Sequence, residues 1–402
     1  MTTSRIVTIE AALVWSSAHA AHTDRQLLEG WNLWRDFFPG ALGEQLQRAA
    51  LGECVRAHFR AGALVPDPYD PALVRPVRVA QFVGRLPGGE VLEPRVGRFY
   101  PRTFLRDVPE FFVGDRRPFR CLARDAAQLS VDLNHPFAGF DATVEATLVA
   151  DHGASAERGG RANDLAQRLT ERGPGMQAAL PDRDTDFFYS EAFARMDPRP
   201  DAQFYREPRF VQHLDTQAIA RIRAIYARIL QPGMRVLDLM SSWVSHLPEG
   251  VAGLSVTGLG LNAAELERNA RLDTRVVHDL NADARLPFAA GEFDAAVCTA
   301  SVEYLVEPLA VFREAARVLK PGAPLVVTFS DRWFPTKAIA LWGELHAFER
   351  MALVIDYFRR SGGFTGLATE SVRGLPRPAD DKYAGQLPYA DPVFAVSGRR
   401  AP

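Results

Sequence analysis

The sequence predicts two domains of different class, a mainly β (α+β) domain followed by a doubly wound α/β domain. Three observations carry this. Residues 1–150 run in short stretches rich in Val, Phe, Pro and Gly, such as Val7–Val14 and Ala142–Ala150, which is β texture. From about Asp186 short apolar runs alternate with amphipathic helical stretches, the pattern of a parallel sheet covered on both faces. Between them, residues 152–185 are polar and poor in aromatics, and only Asn163–Arg172 has helical character, so this stretch reads as a linker. The expected boundaries are therefore 1–151, 152–185 and 186–402.

Bulk composition agrees and excludes several classes. A chain of 402 residues exceeds one ordinary domain, and 47% hydrophobic residues suffice for packed cores. The net charge of −2 gives no electrostatic argument for nucleic acid or an acidic membrane surface. Cys54, Cys121 and Cys298 are scattered and form no CxxC, so neither a metal site nor a disulfide framework is expected. Arg5 and the apolar run towards Ala18-His19-Ala20 faintly mimic a signal peptide. Glu10 interrupts that run, and Ile6-Val7-Thr8-Ile9 alternates as a strand does, so the expectation is a cytoplasmic protein. No stretch approaches the ~20 apolar residues of a membrane span.

The elements of the second half follow in order. Ala218–Leu230 places Ile219, Ile222, Ile225, Tyr226 and Ile229 along one helical stripe, and Gln231-Pro232-Gly233 ends it. Strands are expected at Met234–Met240, Leu254–Leu259, Thr274–His278, Phe293–Thr299 and Leu325–Phe329, with helices at Ala263–Ala270 and Leu309–Leu319. Tyr357–Arg360 and Pro392–Val396 read as the helix and strand material that closes the sheet. In such sheets ligands bind beyond the carboxyl ends of the strands, so the residues after each strand are the ones to weigh.

Leu286-Pro287-Phe288, Phe293-Asp294 and Arg317-Val318-Leu319-Lys320-Pro321-Gly322 stand in the order and spacing of the class I S-adenosylmethionine (SAM)-dependent methyltransferases of the type 11 group, which the stretch Gln231–Phe329 resembles. The resemblance implies a Rossmann-like fold, SAM as cofactor and a methyl acceptor that is a small molecule or peptide. It places Asp238 at the end of the first strand, in support of the cofactor loop. That loop reads Met240-Ser241-Ser242-Trp243-Val244 and lacks the glycines of the family. Backbone N–H groups and two hydroxyls can still bind a carboxylate there, and the Ser-Ser-Trp-x-Ser-His string is similar to that of a subset of bacterial and plant methyltransferase-like proteins. Trp243 must swing aside, contact substrate or obstruct the site. His246 reads as a base, a substrate contact or a structural histidine.

After the second strand Gly260 stands where the family has an acid for the ribose. Asn262, two residues on, can bond a hydroxyl, cap the next helix, or do both. The resemblance implies that Asp279, Leu280 and Asn281 face the adenine, with Asp283 as an alternative acceptor, and that Ser301 lines the floor near the reactive methyl. Glu303 is a candidate base or a first-turn helix acid. Phe204–Asp215, with Tyr205 and His213, precedes the first long helix where related enzymes place a lid. Tyr205 joins His246 and Glu303 as a catalytic candidate and His213 joins the substrate contacts. In FSDRWFPTKAIALW, Arg332 and Lys337 are candidates to hold a carboxylate or phosphate on the substrate, or are surface charges.

In the first half, a short helix within residues 40–53, the loop at Pro68-Tyr69-Asp70-Pro71, and the turn Asn134-His135-Pro136-Phe137-Ala138-Gly139 stand in the order of the SlyD-like branch of FKBP-type prolyl isomerases, which residues 5–150 resemble. The resemblance implies an inserted flap at about 75–129 and an aromatic pocket to which Leu42, Tyr69 and Val144 belong. The expectation is thus a SAM-dependent methyltransferase with an FKBP-like domain that presents substrate or binds a peptide or protein partner. The alternative is an FKBP-type isomerase, chaperone or adaptor fused to a methyltransferase shell that no longer binds SAM.

Overall fold

The computed structural model describes residues 4–86, 89, 91–108, 114–155 and 159–402. The chain divides into two compact units, Met1–Tyr189 with Glu344–Ala352, and Ser190–Gly343 with Leu353–Pro402.

In the first unit four antiparallel strands lie in the order Ala21–Asn32, Ser4–Ser16, Ala142–Ser155, Cys54–Phe59. Val7, Ile9, Ala11, Leu13 and Trp15 alternate along Ser4–Ser16 and are all buried in one core. The helix Leu42–Arg48 adds Leu42 and Leu46 to it. The segment expected as a flap at about 75–129 contributes to a second antiparallel sheet in the order Val74–Arg78, Gln128–Asp132, Pro118–Arg124, Phe99–Pro101, with its own core around Val77, Tyr100, Phe119 and Val131. Within that segment, residues 87, 88, 90 and 109–113 lie outside the described residues, as do 156–158 of the expected linker.

The linker expectation needs correction. A helix runs over Leu165–Thr170, its N-terminus capped by Asp164, whose side chain accepts from the Gln167 N–H. Leu165, Leu169 and Ala178 are buried in the first unit's core. The Gln177 side chain donates to the buried Asp24 carboxylate at 3.0 Å, beside the Trp15 indole N–H at 2.9 Å. Four or five apolar residues spaced through a polar stretch are enough to seat it, and average composition conceals them. The pocket expected around Leu42, Tyr69 and Val144 is also not found open. Leu42 and Val144 are both fully covered, whereas Tyr69 is 50% exposed. A ligand cannot touch the first two without displacing protein atoms.

The second unit carries a seven-stranded sheet in the order Thr274–Val277, Ser255–Gly260, Arg235–Leu239, Ala295–Thr299, Pro324–Phe329, Val393–Arg400, Phe364–Arg373. The first five are parallel, and Val393–Arg400 runs antiparallel to both of its neighbours, Pro324–Phe329 and Phe364–Arg373. The chain leaves Arg235–Leu239 towards one edge and returns on its other side at Ala295–Thr299. That reversal is the switch point where a crevice opens. The helix Thr216–Ala227, capped by Asp215, buries Ile219, Ile222, Ile225 and Tyr226, and the Pro308–Val318 helix buries Val311, Phe312 and Ala315.

Tyr226 ties this helix to the sheet. Its buried hydroxyl meets Thr299 Oγ1 at 2.7 Å and Thr328 Oγ1 at 2.9 Å, one on each of two neighbouring strands. Tyr226→Phe should therefore leave the buried Thr328 hydroxyl and the half-buried Thr299 hydroxyl short of a partner and cost about 1–2 kcal/mol in urea denaturation. An unchanged midpoint would show that the contact is dispensable.

Candidate functional site

A cavity of about 430 Å³ lies beyond the carboxyl ends of the parallel strands of the second unit. Its lining includes Met240, Ser241 and Ser242 after the first strand, Gly260 and Asn262 after the second, Asp279, Leu280 and Asn281 after the third, and Ala300 and Ser301 after the fourth. Tyr205, Arg209, His213, Asp331, Arg332, Phe334 and Lys382 close the opposite wall. Four non-glycine residues among the described ones have positive φ, and two of them are Met240 at 57° and Ala300 at 47°. Both follow a central parallel strand and both line the cavity. Backbone strain of this kind concentrates where a chain must turn sharply around a site.

The serines and the indole of the loop that lacks glycines each have a hydrogen-bond partner. Asp238 is buried, and its Oδ2 accepts hydrogen bonds from Ser241 Oγ at 2.7 Å and Ser245 Oγ at 2.5 Å. Burial pushes the Asp238 carboxyl up to about 6, against the pull of the two hydroxyls. The Ser241 N–H donates to the Leu259 carbonyl, which lays the loop against the end of the second strand. A Cβ on Gly260 would stand 2.1 Å from the Ser241 carbonyl oxygen. No acid fits there while the loop keeps this path, which is the physical reason for the missing ribose carboxylate.

Trp243 does not enter the cavity. Its indole N–H donates to the Val211 carbonyl at 3.2 Å, and its ring meets Phe210 edge to face at 6.2 Å. Ser242 Oγ donates to Glu265 Oε2 at 2.6 Å, and Glu265 Oε1 accepts the Arg209 N–H at 2.7 Å. Asn262 caps its helix through the Glu265 N–H, and its amide donates to the Tyr205 and Arg206 carbonyls. The replaced loop and Asn262 thus clasp residues 205–211, which cover the cavity. The Asn262 amide is spent on that task, and its oxygen keeps one lone pair for a hydroxyl.

The remaining candidates divide. Asp279 Oδ1 accepts the Asn281 N–H at 3.0 Å, while Oδ2 takes no hydrogen bond from the described residues. Asn281 lines the cavity but is committed to Asp201, the Tyr304 carbonyl and the Val306 N–H. Ser301 Oγ donates to the Thr299 carbonyl. Tyr205 faces the cavity, and burial with Asp201 and Glu303 nearby pushes its hydroxyl well up, so it keeps its proton at neutral pH. His213 faces it too, held below its ordinary value by burial and by Arg209 and Lys382.

Four expectations are corrected by placement. His246 is not in the cavity wall; its Nδ1 is enclosed without a partner, and burial and Arg223 push it down to about 4. Glu303 is buried within the turn Val302–Tyr304, behind the cavity floor rather than in it. Lys337 is fully buried, with Nζ 3.0 Å from Asp201 Oδ1 and 2.6 Å from the Arg199 carbonyl, so it pins the chain before the cover. Arg332 reaches the cavity but is paired with buried Asp391 at 3.0 Å. Sequence reading missed Glu265 and Lys382. Glu265 stands three residues after a capping Asn, where it passes for a helix-start signal.

Residues 241–327 match the model of a family described as a methyltransferase domain. The methyl donor of such a domain is S-adenosyl-L-methionine. The ubiquinone biosynthesis O-methyltransferase of Xanthomonas campestris pv. campestris (strain B100) is 32% identical over 134 residues, 31% of this chain and 54% of that protein. The protein of the same name from Marinobacter nauticus is 32% identical over 124 residues, 28% of this chain and 50% of its own length. The chain thus spans about half the length of the curated relatives it matches. Among solved structures, a possible histamine N-methyltransferase from Thermotoga maritima overlaps 46% of this chain and 90% of its own, at 15% identity and a TM-score of 0.34.

Two outcomes follow for the methyltransferase loop. Folded Asp238 titrates near 6 against an ordinary value of 3.8, so the folded state favours the protonated carboxyl. Its contribution to stability is full below pH 3.8 and is lost as pH rises through 6. Wild type should lose on the order of 3 kcal/mol relative to Asp238→Asn between about pH 4 and pH 6.5, at ~1.4 kcal/mol per tenfold in proton affinity. Parallel pH curves for the two proteins would refute this. Trp243→Ala should free the cover, so that amides of residues 209–213 exchange hydrogen on the order of tenfold faster, equivalent to ~1.4 kcal/mol. Unchanged exchange would mean that the clasp lies elsewhere.

Proposed function

We propose that this protein is a SAM-dependent methyltransferase whose replaced loop holds the cover of the site instead of closing it. The observation that carries the reading is the open cavity. Trp243 turns away from it, so the loss of glycines leaves room at the strand ends. This speaks against a shell that has lost its ligand. SAM supplies an electrophilic methyl group on a sulfonium. Met240–Ser242 and the side-chain-free Gly260 would hold its amino-acid and ribose portions, and Asp279 Oδ2, with Leu280 beside it, would receive its adenine.

The chain's own residues supply position more than chemistry. The cover excludes water, and Ala300 and Ser301 set the floor against which an acceptor is oriented, the term expected to dominate a displacement of this type. Tyr205 keeps its proton and serves as a hydrogen-bond donor. His213, held neutral at physiological pH, is the ring that can take a proton from an acceptor hydroxyl. The curated relatives are O-methyltransferases by name, and transfer to oxygen is the form of the reaction that uses such a base.

For the first unit we infer a binding domain of FKBP-like type. Support comes from the helix Leu42–Arg48, the inserted sheet between Val74 and Asp132, and the turn at 134–139 leading into Ala142–Ser155. The covered Leu42 and Val144 favour partner binding over isomerisation. Calorimetry tests the main reading: S-adenosylhomocysteine and SAM should bind at micromolar concentration. The absence of both heat and thermal shift at millimolar ligand would overturn it.

A further inference from the structure

We propose that the cavity wall formed by Arg209, His213 and Lys382 is a carboxylate-binding site. The argument begins with which charges are already spent. Around the cavity, Arg195 is paired with Asp201 at 2.7 Å, Arg332 with Asp391 at 3.0 Å and Lys337 with Asp201 at 3.0 Å. Arg209 and Lys382 line the same cavity and pair with no carboxylate among the described residues.

Arg209 is held firmly all the same. Its guanidinium lies 4.4 Å from the Phe204 ring centroid and 5.4 Å from those of Tyr205 and Phe334. Nη2 donates to the Phe204 carbonyl at 3.0 Å, whereas Nη1 finds no acceptor. Glu265, which accepts the Arg209 backbone N–H through one oxygen, spends the other on Ser242. A planar cation fixed by rings, with donors left over, is preorganised for a planar anion. Lys382 approaches from the C-terminal side, its Nζ 5.0 Å from the Tyr383 ring. His213 packs edge to face on Phe334 at 5.1 Å, a ring that also flanks Arg209, and it lines the cavity with Arg209 and Lys382.

Asp331 limits the charge that this wall accepts. It also lines the cavity, with Asp391 and Arg332 both acting on it. Its repulsion grows with the charge of the ligand, so a monoanion suits this wall better than a phosphate dianion. The carboxylate has two possible sources, the amino-acid end of the methyl donor and the methyl acceptor. The inference rests on the methyl-transfer reading only for what fills the rest of the cavity.

The test uses the full chain as wild type, Arg209→Gln and Lys382→Met. Each is titrated by calorimetry with S-adenosylhomocysteine, with 5′-methylthioadenosine, which keeps the adenosyl group but has no carboxylate, and with benzoate in the presence and absence of S-adenosylhomocysteine. Arg209→Gln should weaken either S-adenosylhomocysteine or benzoate by about tenfold or more. The first result assigns the carboxylate to the donor and the second to the acceptor. Lys382→Met, at an exposed position, should weaken the same ligand, and 5′-methylthioadenosine should bind all three proteins equally. The proposal falls if neither variant changes either carboxylate ligand, or if 5′-methylthioadenosine weakens in step with S-adenosylhomocysteine. Should wild type bind no adenosyl ligand, the methyl-transfer reading fails by itself. Benzoate then decides the carboxylate site: binding weakened by Arg209→Gln supports it, and no binding at about 10 mM, a limit equivalent to ~2.7 kcal/mol, overturns it.

Discussion

The approach of the Ser241 carbonyl to Gly260 is the constraint on which the site depends. A Cβ at position 260 would stand 2.1 Å from that oxygen, so the second strand must end on glycine and the loop must run straight across it. With that path fixed, Ser241 and Ser245 both point back at Asp238, and Asn269 joins them through Ser245 Oγ at 2.9 Å. The intervening Ser242 and Trp243 then face the other way and meet Glu265 and Val211. A glycine loop approaches its ligand by having no side chains. This loop keeps the approach open by turning its side chains to either flank, where each finds a partner.

Buried charge does most of the fastening around the cavity. Asp201 holds Arg195, Lys337 and Asn281, and Asp215 and Asp391 share Arg377, with Arg332 also on Asp391. Such pairs contribute little net stability against well-packed apolar residues, but removing one partner strands the other, which fixes a segment in one place. The arrangement makes the chain before Thr216 and the chain after Phe329 two rigid sides of one opening. Against that background a cation with no anion is conspicuous. The rings around Arg209 offset part of its desolvation without satisfying its donors.

The fold of the second unit was legible because it rests on periodicity. Every parallel strand falls within two residues of where apolar spacing put it, the helix expected to reach Leu230 ends three residues earlier at Ala227, and Asp238 falls at its strand end. Candidate residues were legible only where backbone position decides their role. Asp279, Ser301 and Met240 lie at the cavity because they follow strands. Lys337 and Glu303 also follow strands, yet lie buried, because which way a side chain turns depends on partners distant in sequence. Lys337 answers to Asp201, and nothing local announces that. In the first unit the segment 165–178 was misread for a related reason. Its composition is that of a tether, and only Leu165, Leu169 and Ala178 meeting a core built from Trp15, Leu42 and Val144 shows otherwise.

The strained residues explain how a loop so altered can remain a ligand site. Met240 and Ala300 occupy a backbone region that costs a residue with a Cβ roughly 1 kcal/mol or more, and in that region glycine is the easy choice. Neither has become glycine, and neither strand has shifted to relieve them. What holds them is on both sides of each turn: the Ser241 N–H on Leu259 beyond Met240, and the Ala300 N–H on the Thr328 carbonyl. Both bonds cross to a neighbouring parallel strand. The sheet itself therefore imposes the two turns that flank the switch point, whatever side chains the turns carry. Under that control the loop can carry serines and an indole in place of glycines, with the Ser241 and Ser242 hydroxyls bonded to Asp238 and Glu265 and the Trp243 indole turned to Val211.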